Sequence, residues 1–135
     1  MKPIPDRNLS PHGWWIASYV LRFVWNDEAD SPQTSCQAWE NTIIVQAPDR
    51  DEAFAKATRF GEAAPAALID EADPSRTGAW RFEGLTNLLP IYDELKDGAE
   101  VLWVEHDDVP VKDVQEWIKG KRDLEVFDDT PMIGD

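Results

Sequence analysis

The sequence has one cysteine, two histidines and no long apolar run, and each scarcity removes a class of protein. Cys36 alone cannot close an internal disulfide, so a small fold held by disulfide staples is excluded. The apolar run Trp14 to Val24, with few charges, has eleven residues and carries Arg22, too short for a membrane span of about twenty residues. Met1 to Asp6 has no apolar stretch of signal length, and we expect a cytoplasmic address. The seven glycines form neither a dinucleotide-binding fingerprint nor a phosphate loop, so no cofactor is expected. Positive charge is scarce too. Thirteen Lys and Arg face twenty-seven Asp and Glu, a formal net charge of −14 over 135 residues. That balance argues against nucleic acid and anionic membrane as partners, since both call for a basic surface.

What is present reads as one globular domain, with 42% hydrophobic and 30% charged residues. Residues 1–13 are Pro-rich and polar, an extended lead. Trp14–Trp25 alternates as a strand with Trp15, Ala17, Tyr19, Leu21, Phe23 and Trp25 inward and Arg22 on the wetter side. The cluster 26–34 is an exposed hairpin loop, and Cys36–Gln46 is the second strand, with Trp39, Ile43 and Val45 on one side. Asp49 is a natural N-cap with Glu52 three residues on, and Ala53, Phe54, Ala57 and Phe60 recur at helical spacing until Gly61. Residues 65–78 are ambiguous. Ala79–Leu85 is a third strand, where Gly84 suggests a bulge, and Ala99–Glu105 a fourth. Pro110 opens a last helix that Gly120 ends, and 121–135 is an acidic tail. The expected architecture is a two-layer α+β domain over 14–120, in the order β-β-α-β-β-α. Its sheet is four-stranded and antiparallel, with the helices on one face.

Three segments carry a family pattern. They are Trp15-Ile16-Ala17-Ser18 to Leu21-Arg22-Phe23; Trp39-Glu40 through Ile43-Ile44-Val45-Gln46-Ala47 to Ala53 and Ala57; and Phe82-Glu83-Gly84-Leu85 to Leu89-Pro90-Ile91 and Asp97-Gly98-Ala99-Glu100-Val101. Over about residues 14–105 the chain resembles a small bacterial domain family of unknown function. The resemblance implies a bacterial, intracellular single domain and brings no catalytic residue with it.

Chemistry-bearing constellations are few. A Cys–His nucleophile pair would need Cys36 beside His12 or His106, and hairpin geometry sends His12 to the wrong end of the first strand pair. Glu105-His106-Asp107-Asp108 offers metal-ligand types, but strand alternation lets at most two of them point together. No metal and no catalytic residue are therefore expected. The charge is unevenly spread: residues 79–109 hold eight acids against two bases. Tyr92, Asp93, Glu94, Asp97, Trp103, Glu105, Asp107 and Asp108 there form the candidate partner-binding set, acids to steer a basic protein and aromatics to anchor it. The corresponding function is a non-enzymatic binding module, an immunity or inhibitor protein that neutralises a basic toxin such as a nuclease. The alternative is a small-molecule-binding or small enzyme domain whose pocket is lined by Trp15, Trp39, Trp80 or Trp103, with Arg22, Arg81 and Glu40 as polar members. Homodimerisation through the exposed sheet face is compatible with either. For the metal question, EDTA should leave the melting temperature unchanged and elemental analysis should find no stoichiometric metal. A chelator-induced drop of several degrees would reinstate the Glu105–Asp108 site.

Overall fold

A computed structural model describes residues 3–28, 35–63, 67–69 and 72–131. The chain divides into two compact units, 1–103 and 104–135, and the span 14–120 straddles that division. The first unit is α+β. Strands β1 (Trp14–Trp25) and β2 (Ala38–Gln46) precede helix α1 (Arg50–Ala63), followed by a three-residue strand β3 (Ala67–Ile69) and the long β4 (Thr77–Pro90). The sheet is antiparallel in the order β2-β1-β4-β3, so three long strands carry it and β3 only edges it.

β1 and β2 form the expected hairpin, pairing from Trp14 with Gln46 to Arg22 with Ala38. The loop expected over 26–34 lies outside the described residues from 29 onward; Asn26–Glu28 make a 3-10 turn. Because β1 is central, its expected split into a dry and a wet face does not hold. Ile16, Ser18 and Val24 are buried along with Trp15, Ala17, Tyr19 and Leu21. Ile16 is shouldered by its cross-strand neighbours Ile44 and Leu89, and Ser18 shares a hydrogen bond of 2.8 Å with the Thr42 hydroxyl.

α1 starts as its sequence dictates: the Asp49 carboxylate accepts the Glu52 amide at 2.8 Å, satisfying one of the helix's orphan donors. The buried stripe, however, is Ala53, Ala57 and Gly61, while Phe54 and Phe60 are exposed. Gly61 does not stop the helix. A Cβ there would run into the Phe82 ring, so its missing side chain admits that ring against the helix. α1 packs on β1, β4 and β2, and the core consists of Trp15, Ala17, Val45, Ala47, Ala53 and Ala57. Trp15 is 2% exposed, and its indole N–H donates to the Ala47 carbonyl at 3.0 Å, so its one polar atom is satisfied in the core.

β4 is longer than its alternation suggests. Opposite β1 the register slips twice, leaving Thr86 and Glu83 without Cα partners. Gly84, at φ +147°, sits between these two bulges, as its place in the sequence implied. Beyond them Leu88, Leu89 and Pro90 pair with Ala17, Ile16 and Trp15. The strand expected at Ala99–Glu105 does not form: these residues are irregular, and the sheet edges belong to β2 and β3. Nor does the lead remain fully extended, since Asp6–Asn8 form a 3-10 turn. Of the ambiguous segment, 65–66 and 70–71 lie outside the described residues.

The second unit holds helix α2 (Val111–Trp117) and 3-10 turns at Lys121–Asp123 and Glu125–Phe127. α2 ends at Trp117 rather than at Gly120. α1 packs on the sheet, whereas α2, expected on the same face, belongs to the second unit. Residues 132–135 of the acidic tail lie outside the described residues. Because Ala57 has no exposed surface, Ala57→Leu should overpack the helix–sheet contact and cost about 1–3 kcal/mol in urea unfolding. Phe54→Leu, on the exposed side, should stay within about 0.5 kcal/mol.

Candidate functional site

After β4 the chain is fastened before it turns acidic. Ile91 is buried and donates its amide to the Trp14 carbonyl at 2.9 Å. Ser10 Oγ lies 2.6 Å from the Trp14 carbonyl and 3.0 Å from that of Ile91, tying the lead segment to the same point. The Tyr92 hydroxyl donates to the Arg7 carbonyl. From this anchor the chain runs into the turn 93–100. The Asp93 carboxylate accepts the Glu100 amide at 3.0 Å, the Lys96 carbonyl accepts the Ala99 amide at 2.9 Å, and Gly98 takes the left-handed conformation, φ +84°. Trp103 then comes back onto Tyr92, ring centroids 5.4 Å apart and tilted by 40°. It remains 50% exposed.

Of the eight candidate residues, the first unit therefore gathers Tyr92, Asp93, Glu94, Asp97 and Trp103 on one short segment. Glu94 and Asp97 are exposed on the turn, whereas Asp93 is committed to holding it closed. Glu105, Asp107 and Asp108 are exposed in the second unit, with Asp108 at φ +53° shortly before α2. His106 is engaged there with Trp117, ring centroids 4.6 Å apart. Among the described residues no three His, Cys, Asp or Glu are grouped to hold a metal ion.

The Trp-lined pocket is not assembled. Trp15 is sealed in the core, and Trp103 stacks on Tyr92. Trp39 and Trp80 lie 4.8 Å apart in a different place, a cluster with Phe23 and Trp25 on the side of the sheet that α1 covers. Gly78 makes room for that cluster, because a Cβ there would meet the Phe23 and Trp25 rings. Arg76, bridged to Asp27 at 2.9 Å, lies over Trp25 at 4.2 Å. The polar residues expected with the tryptophans pair on the opposite side of the sheet. There Glu40 accepts from the Thr86 hydroxyl at 2.8 Å, and Arg22 meets Glu83 at 2.6 Å. Strand parity separates the two sets, since Trp39 pairs with Leu21 while Glu40 pairs with Val20. Cys36 is exposed and precedes β2, at the opposite end of the hairpin from His12.

Two exposed carboxyls stand below the usual carboxylate range. Asp73 is held there by the Ser75 hydroxyl and amide, and Asp128 by hydrogen bonds from Thr130. Each bond's contribution is present at neutral pH and is lost as pH falls through the lowered value.

Residues 14–103 match the sequence pattern of a domain of unknown function, DUF4288. The chain belongs to that family. The match ends where the first compact unit ends, at Trp103, so the DUF4288 domain is that unit from β1 onward. This agrees with the resemblance read over 14–105. No curated protein and no solved structure matches the chain. Among the described residues, no helix is long and apolar enough to cross a membrane.

The turn's closure gives a direct test. Asp93→Ala should deprotect the Glu100 amide to hydrogen exchange by roughly fivefold to tenfold and leave the Trp15 amide unaffected. Equal protection in the variant would mean that the Asp93 carboxylate does not hold the turn.

Proposed function

We propose that the DUF4288 domain of this chain is a non-enzymatic protein-binding module, and that its acidic turn engages a basic protein. The observation that carries the reading is the Tyr92–Trp103 pair: a half-exposed indole stacked on a tethered tyrosine, flanked by Asp93, Glu94 and Asp97. Acidic groups around an aromatic supply the two things a basic partner uses, long-range attraction for encounter and an apolar anchor for residence. The anchor is already oriented, which lowers the ordering cost of association. An immunity or inhibitor protein that occludes a basic toxin, such as a nuclease, is the form of this module that the charge of −14 favours. The cytoplasm is the compartment in which such a protein would act.

A basic protein encoded beside this gene should co-purify with the chain, and the association should weaken at least tenfold between low and high salt. Trp103→Ala should slow no encounter but shorten the lifetime of the complex by tenfold or more, whereas Glu94→Gln with Asp97→Asn should mainly lower the association rate. The absence of any salt-dependent partner, together with no toxin gene in the neighbourhood, would overturn the proposal.

A further inference from the structure

β2 is an edge of the sheet, and its outer side carries none of the devices that usually keep an edge from pairing. It has nine residues with no Lys, Arg or Pro, and its register with β1 runs from Trp14–Gln46 to Arg22–Ala38 without a shift. The opposite edge is protected by its shortness, since β3 has three residues. Two bonds at the ends of the β1–β2 pair fix which backbone groups are spare. The Phe23 amide donates to the Gln37 carbonyl at 3.0 Å and the Ala47 amide to the Gly13 carbonyl at 2.8 Å, so the odd-numbered residues of β2 bond to β1. The N–H and C=O of Ala38, Glu40, Thr42 and Ile44 therefore point outward, where no strand lies among the described residues. The next outward carbonyl, that of Gln46, already accepts from Lys56 at 2.9 Å, which marks where the spare ladder ends.

Such a ladder accepts an extended segment, and the order of residues along β2 says which. Ala38-Trp39 and Ile43-Ile44 are apolar, and Glu40-Asn41-Thr42 between them is polar. The strand thus reads alike in both directions about Asn41, the property that a two-fold contact requires of a surface that meets itself. We infer that two copies of this chain join β2 to β2, antiparallel about Asn41, and continue one sheet through both. Ala38 then lies opposite Ile44 of the second copy and Glu40 opposite Thr42 of the second copy, so each spare N–H and C=O gains a partner. On the α1 side, Trp39 faces Ile43 of the second copy, an aromatic–β-branched pair of the stabilising kind, and the two Asn41 side chains meet on the axis. Trp39 is 53% exposed, and Ile43 borders an open apolar hollow with Phe60 and Ala63, so both have surface to lose. Centring the contact on Glu40 would set like charges face to face, and centring it on Thr42 or Ile43 would set Asn41 against an apolar side chain. The contact uses no residue of the turn 92–103 and stands apart from the basic-partner reading.

Sedimentation equilibrium of the full chain should show a monomer–dimer equilibrium that tightens about threefold from low to high salt, because two copies of net −14 repel at long range. A basic partner would respond to salt in the opposite sense. Glu40→Gln should also tighten the dimer about threefold, since the two carboxylates otherwise lie diagonally across the new ladder. As concentration rises, the Glu40 and Thr42 amides should gain about tenfold in hydrogen-exchange protection, while those of Asn41 and Ile43, already bonded to β1, change little. In a Cys36→Ser background, Asn41→Cys should oxidise to a covalent dimer at least tenfold faster than Gln46→Cys, whose two copies lie at opposite ends of the contact. A chain that stays monomeric at its highest soluble concentration, a dimer that salt weakens, outward amides that stay unprotected, or equal cross-linking from the two positions would each overturn the inference.

Discussion

Three small residues, Ala53, Ala57 and Gly61, set the distance between α1 and the sheet, and the rest of the first unit is arranged around that distance. With no more than a methyl group on the helix side, the bulk in the interface comes from below, from Trp15, Val45 and Phe82. The arrangement places one large aromatic where its indole N–H can reach a backbone carbonyl, the Ala47 oxygen at the end of β2. Truncating a buried tryptophan of this kind costs about 3–5 kcal/mol, a large share of a small domain's stability. The same close approach turns Phe54 and Phe60 outward, which is why a helix with two phenylalanines contributes neither to the buried core.

The central position of β1 follows from that packing. A strand flanked on both edges can bury residues of either parity, and Ile16 and Ser18 are buried without being on the helix side. Its polar side is organised by the two bulges of β4. Thr86 and Glu83, the residues left without partners in the ladder, are those that reach Glu40 and Arg22. Such half-exposed pairs contribute little to stability, about 0–1 kcal/mol each, but they fix which side of the sheet is polar. They also hold Arg22 and Glu40 on the side of the sheet away from Trp39 and Trp80.

The acidic turn illustrates how composition and geometry divide the work. Its charge is a property of the residues alone, but its shape depends on one acid being withdrawn from that surface. Asp93 closes the turn through the Glu100 amide, leaving Glu94 and Asp97 to face solvent beside Trp103. The division of the chain at residue 103 then assigns Glu105, Asp107 and Asp108 to a different unit from the residues they adjoin in sequence.

The sequence by itself determined the α+β class, the β1–β2 hairpin, the Asp49 cap, the bulge at Gly84 and membership of a domain family of unknown function. Each rests on a local pattern: alternation, a capping side chain, a glycine that tolerates positive φ, or spaced motif residues. Tertiary structure alone decided the remainder. The length of β4 was hidden because two bulges break its period of two, and the apolar run Val101–Val104 read as a strand although the sheet is made of β2, β1, β4 and β3 without it. Which helical residues lie inward depended on the room above Phe82. That is a distance between segments remote in the chain, and periodicity, which records only near neighbours, carries no trace of it.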